Sequence, residues 1–229
     1  MMEQDHAKTS PASQAAYENL IDRLILHFTA DPFREEVANA KREFFDEAGV
    51  VDEESPAYEM RVTQFLEWYL FTRKLPKAGL KPAEYALQLD EFKMTSAERP
   101  AFENLAGVRH GLFEFQKIRG GDIHVKELWL NKKIVIPDSP VNIGFNRDEI
   151  FDARLIPDGE TFRFARAFCI HPAEASKYIL GEVRKIRKLE NEVEEEAFML
   201  RLLKMRYKYE QYRHLKLDYV YTNEKKVRF

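Results

Sequence analysis

The sequence predicts an α+β fold: an N-terminal helical bundle, a small five- to six-stranded SH3/OB-like β-barrel, and a long C-terminal helix. Three observations carry this reading. Short strand-like segments crowd about 60 residues between Gly111 and Ile170, each bounded by turn chemistry. Apolar residues before that stretch recur at helical spacing. After it, almost nothing interrupts a helical pattern from Pro172 to about Lys216.

The expected strands are Leu112–Ile118, Asp122–Leu130, Lys132–Pro137, Glu149–Pro157 and Thr161–Ile170, with room for a short one at Val141–Phe145. Arg119-Gly120-Gly121-Asp122, Leu130-Asn131-Lys132-Lys133, Pro137-Asp138-Ser139-Pro140 and Pro157-Asp158-Gly159-Glu160 supply the turns. Strands this short bury a common face by curling into a small barrel.

Ahead of the strands, Ser10-Pro11 reads as an N-cap followed by proline at the first helical position. Tyr17, Leu20, Ile21, Leu24, Ile25 and Phe28 then form one apolar stripe. Asp31-Pro32 repeats the start signal, Phe33, Val37, Ala40, Phe44 and Ala48 form a second stripe, and Gly49 stops it. Ser55-Pro56 opens a third helix with Tyr58, Val62, Phe65, Leu66, Tyr69 and Leu70 inward. Lys81-Pro82 opens a fourth. Thr95 and Glu98 have capping-box spacing ahead of Phe102 and Leu105. The aromatic residues fall on helical positions, which suits a core better than a cofactor box.

Behind the strands, the expected single helix runs to roughly 40 residues, about 60 Å at 1.5 Å per residue. The resulting divisions are a flexible start (1–12), helical bundle (13–108), barrel (109–171), long helix (172–217) and basic tail (218–229).

Composition excludes some classes. Net charge is −3 over 229 residues, so no global basic field recruits nucleic acid. The balance is uneven: from Met199 to Phe229 nine cations face three anions, giving +6, and the rest carries −9. Cys169 is the only cysteine, so no intrachain disulfide forms. The polar N-terminus lacks a signal-peptide core and no apolar run is long enough to span a membrane, so a cytoplasmic location is expected. No Gly-rich phosphate loop, nucleophile elbow or H-E-x-x-H motif is present. Cys169-x-His171 and His124 with Glu127 are the only tight pairs of metal-ligand type, and neither has zinc-site spacing, so no metal and no cofactor are expected.

Two constellations remain. If Asp158-Gly159 forms a two-residue hairpin loop, Arg154 faces Arg163 across the ladder. Phe151, Ala153, Leu155, Phe162 and Phe164 then share the inner face. Opposed like charges want an anion, supplied by Asp152, a helix glutamate, or an external phosphate or carboxylate. Arg154, Arg163 and Arg166 are therefore candidate anion- or partner-binding residues. The second is the basic, aromatic surface of Lys204, Arg206, Tyr207, Lys208, Tyr212 and Arg213, suited to an acidic protein or to single-stranded nucleic acid.

Glu67-Trp68-Tyr69-Leu70-Phe71, Gly111-Leu112-Phe113-Glu114, Asp152-Ala153-Arg154-Leu155-Ile156-Pro157 and Phe168-Cys169-Ile170-His171-Pro172 together resemble uncharacterised bacterial proteins that pair a helical region with a small barrel. The resemblance covers roughly residues 62–179 and implies architecture without an activity. The function expected is that of a non-catalytic adaptor binding another protein, or a second copy of itself, in a cytoplasmic assembly. Nucleic-acid binding through the barrel face and basic C-terminal helix is the alternative, and an enzyme of unrecognised type a third.

Overall fold

The structure, a computed structural model, describes residues 11–140, 146–212 and 214–224. It is a mixed α+β fold with eight helices and one five-stranded antiparallel sheet among those residues. The short strand expected at Val141–Phe145, the cap at Ser10 and the last basic residues (225–229) lie outside them.

Five helices precede the sheet: α1 (Pro11–Thr29), α2 (Arg34–Ala48), α3 (Tyr58–Phe71), α4 (Pro82–Ala86) and α5 (Arg99–Ala106). The stripes of α1 and α2 are buried as their spacing requires, with Ile21, Leu24, Phe28, Ala40, Phe44 and Ala48 nearly inaccessible. Gly49, at φ 86°, ends α2 by donating its N–H to the Phe45 carbonyl at 2.9 Å. Thr95 and Glu98 exchange the reciprocal bonds expected of them, Thr95 N–H to Glu98 Oε2 at 2.9 Å and Glu98 N–H to Thr95 Oγ1 at 3.3 Å.

The strands are β1 (Arg109–Arg119), β2 (Asp122–Glu127), β3 (Lys132–Ile136), β4 (Ile150–Asp158) and β5 (Thr161–Ile170), in the order β3-β2-β1-β4-β5. Phe113, Phe115, Ile123, Val125, Ile136, Phe151, Leu155, Phe164 and Phe168 form an inner-face cluster drawn from strands alone. The expected barrel does not close. β3 offers five residues against ten on β5, and no ladder joins these two edges among the described residues.

A separate helical bundle is not established either. The core of α1–α5 takes in Ile156, Ala165 and Cys169 from the opposite face of the sheet. The helices therefore cover β4 and β5 as a second layer, because neither surface buries its apolar side chains alone.

The long C-terminal helix is two helices, α6 (Ser176–Ile186) and α7 (Glu192–Gln211), separated by a 3-10 turn at Arg187–Leu189. Glu190 takes a left-handed conformation (φ 48°), and the Asn191 side chain caps α7 by accepting the Val193 N–H at 2.9 Å. Glu192, Glu194 and Glu195 fill the first turn of α7, where carboxylates favour the helix dipole. The break lets Ile179, Val183 and Ile186 of α6 share one cluster with Phe198, Met199 and Leu202 of α7. A continuous helix would leave one of those stripes in water. The expected extended tail is also corrected at its start: α8 (Leu217–Val220) is helical, and Val220 and Tyr221 are buried in the same cluster.

Candidate functional site

The face of β4 and β5 turned toward the helices is buried yet carries charge. Asp152, Arg154, Arg163 and His171 are each 5% exposed or less. Opposite them, α3 presents Arg61, Gln64 and Glu67 at i, i+3 and i+6, all buried. Buried groups of this kind require partners, and Gln64 and Glu67 find theirs across the α3–β5 seam.

Glu67 fills the role of a missing strand. The β4–β5 register shifts between Ala153↔Phe168 and Leu155↔Phe164, so the β5 backbone bulges at residues 165–167. The Glu67 Oε1 atom accepts the backbone N–H groups of Arg166 at 2.7 Å and Ala167 at 3.2 Å. Burial raises the Glu67 pKa, while Arg154 and those two N–H groups pull it down less strongly. Gln64 donates to the Phe168 carbonyl at 2.8 Å and accepts from Arg61 Nη1 at 3.0 Å. Arg61 also donates to the Ala48 and Gly49 carbonyls, tying α3 to the end of α2.

Beside this seam lies a second constellation. Asp152 pairs with Cys169 across the β4–β5 ladder, and the His171 N–H bonds the Ile150 carbonyl at 2.9 Å. Alternation then places Asp152, Cys169 and His171 on one face, with one donor atom of each within 4.8 Å of the others. His171 Nε2 and Asp152 Oδ2 stand 3.7 Å apart, and neither has a hydrogen-bond partner among the described residues. The other ring nitrogen, Nδ1, meets the Tyr221 hydroxyl at 3.2 Å. Burial lowers the His171 pKa to about 4 despite Asp152, so the ring is neutral at pH 7. Burial also lifts the Cys169 thiol well above the ordinary range, with Asp152 adding to it. A protonated, buried thiol is a poor nucleophile.

His110 closes the group from β1. Its Nδ1 lies 2.8 Å from Glu196 Oε2 on α7, and its Nε2 lies 3.5 Å from Asp152 Oδ1. Burial and Arg154 oppose the imidazolium, yet Glu196 and Asp152 carry the His110 pKa above its usual value. A cleft of about 240 Å³ between α3, β5 and α7 reaches this region, with Arg61, Cys169, Arg206 and Glu210 in its lining.

The arginines singled out in the sequence are dispersed. Arg163 pairs with Ile156, and Arg154 with His110 of β1. The hairpin loop is Gly159-Glu160, with Gly159 at φ 62°, one position beyond the expected loop. Because the partner shifts by two residues, the assignment of side chains to faces survives. Phe151, Ala153, Leu155, Phe162 and Phe164 all belong to, or pack against, the inner cluster.

Arg163 finds its anion in Asp158, at 2.8 Å from Nε and 2.7 Å from Nη2. Arg154 touches Thr72 Oγ1 at 3.4 Å and His110 Nδ1 at 3.5 Å. Arg166 pairs with Asp22 of α1 at 2.6 Å.

The C-terminal candidates do not form one basic face with the buried Arg154 and Arg163. Lys204 donates to the Asp46 carbonyl at 2.7 Å, and Arg206 pairs with Glu210 at 2.9 Å while donating to the Ile170 carbonyl at 2.7 Å. The Tyr207 hydroxyl accepts the Asp52 N–H at 3.1 Å and the Gln211 amide at 2.8 Å. Burial and Lys204 lower the Lys208 pKa, and Tyr212 sits edge-on to His214. Arg213 lies outside the described residues.

Sequence reasoning assigned no role to Arg61, Gln64, Glu67 or His110, and offered Asp152 only as an anion for the arginine pair. One signal was available: Arg61, Gln64 and Glu67 fall at i, i+3 and i+6, on one side of a largely apolar helix.

No protein family model, no curated protein and no solved structure matches this chain. Among the described residues no helix is long and apolar enough to cross a membrane.

Proposed function

We propose that the protein is a non-catalytic binding protein that docks the apolar surface of another protein at the corner where the β2–β3 turn meets the α6–α7 break. The supporting observation is a set of exposed aliphatic side chains, Leu130 (55%), Leu189 (61%) and Val193 (75%). Leu130 follows Trp129, whose ring meets Phe198 of α7 edge-on at 6.1 Å. Glu127, which accepts the Trp129 and Leu130 N–H groups, lies within electrostatic reach of both Arg187 and Glu195. The two segments are thus neighbours, and Leu189 and Val193 stand on either side of the α6–α7 break. Single exposed aliphatic residues are ordinary on a protein surface, whereas several gathered on one rigid corner and rimmed by charge mark an interaction surface.

The test is affinity capture from the native cell with the wild-type chain and with Leu189→Asp/Val193→Asp. Both side chains are exposed, so the variant is expected to keep the wild-type melting temperature. One stoichiometric protein captured by the wild type and lost with the variant supports the reading. Equal capture by both chains ends it. Capture that disappears on nuclease treatment would move the function to nucleic-acid binding.

A further inference from the structure

We propose that Asp152, Cys169 and His171 form a binding site for a divalent transition-metal ion, with zinc the ion their donor set suits best. A carboxylate oxygen, a thiolate sulfur and an imidazole nitrogen together make a borderline-soft set of the kind zinc takes. The backbone supplies the convergence: Asp152 opposes Cys169 on the ladder, and His171 follows two positions on.

Two unpartnered atoms point to an occupant. Asp152 and His171 are 2% and 1% exposed, yet Asp152 Oδ2 and His171 Nε2 face each other with no hydrogen bond among the described residues. Their separation of 3.7 Å is too long for an N–H···O bond, which falls near 2.7–3.2 Å. It lies close to the spacing of two donors sharing one ion, since metal–nitrogen and metal–oxygen bonds of about 2.0–2.2 Å place tetrahedral ligands roughly 3.3–3.6 Å apart. Tyr221 supplies the outer partner that metal-bound histidines commonly have: when Nδ1–H donates to its hydroxyl, the Nε2 lone pair faces Asp152.

Charge and access agree with this reading. An ion displaces the Cys169 thiol proton to solvent, so the carboxylate and thiolate balance a dication and the buried site stays neutral. Cys169 lines the cleft between α3, β5 and α7, which gives the ion a route in and leaves a fourth position for water. Arg61 and Arg206 line the same cleft, and their guanidinium groups are engaged by protein acceptors, Arg61 by the Ala48 and Gly49 carbonyls and Arg206 by Glu210 and the Ile170 carbonyl.

The experiment is titration of the full chain, stripped with chelator, with cobalt(II), followed by competition with zinc(II). The expected result is one equivalent of cobalt giving a thiolate-to-cobalt charge-transfer band and intense visible bands of a four-coordinate site, all removed by zinc. Cys169→Ser should abolish the charge-transfer band. Tyr221→Phe, which leaves every donor in place, should weaken binding about 10–100-fold. Circular dichroism of each variant controls for folding. A cobalt spectrum unchanged in Cys169→Ser, or no cobalt signal from folded wild type, overturns the proposal.

Discussion

The two faces of the one sheet are built on opposite principles. The inner face is Phe113, Phe115, Phe151, Phe164, Phe168 and aliphatic neighbours, all from strands. The face toward the helices is equally dry but holds Asp152, Arg154, Arg163 and Cys169, met by Arg61, Gln64 and Glu67 from α3. Apolar packing is non-directional and depends mainly on volume. A buried polar network depends on individual donors and acceptors, and each orphan costs its desolvation. The first face should tolerate shape-preserving exchange, and the second should not.

The largest effect should come from emptying the inner face. Phe164→Ala is expected to cost about 3–5 kcal/mol in urea unfolding, and Phe164→Leu under about 1.5. Equal losses from the two variants would contradict a volume-driven face.

Next comes the seam. Glu67→Ala leaves the Arg166 and Ala167 N–H groups buried at the bulge without an acceptor, and should cost about 2–4 kcal/mol. Glu67→Gln, close in volume and still offering one oxygen, should recover part of that loss. A Glu67→Ala variant as stable as a surface substitution, within about 0.5 kcal/mol, would remove the distinction between the faces.

The smallest effect lies at the surface, where water relaxes both rules. Bonds from Thr95 and from Arg23 hold the Glu98 carboxyl below its ordinary pKa of 4.5. A folded-state pKa depressed in this way stabilises the fold above the unfolded value and ceases to do so as pH falls through the folded one. Melting curves of wild type and Glu98→Gln should therefore differ slightly at pH 7 and converge as pH falls through the depressed folded-state pKa. A gap that widens on acidification would reverse the sign.

Periodic features were legible because they are local. The stripes of α1 and α2, the turn chemistry around each strand and the alternation Phe151-x-Ala153-x-Leu155 each follow from neighbours a few residues apart. The capping role of Glu98 was readable for the same reason. The break at Glu190, completed by the Asn191 cap, was not legible, because no glycine or proline marks it.

The sequence by itself determined the five strands, the helical character of the chain before and after them, and which side chains of β4 and β5 point to the inner face. Only the tertiary structure decided what covers the other face, and with it the burial of Arg154 and Arg163, the seating of Glu67 on the bulge and the meeting of Asp152 with Cys169 and His171. The physical reason is range. Alternation and helical period record which side of an element a residue occupies, but whether that side meets water, an apolar layer or an opposite charge depends on elements brought together from far along the chain.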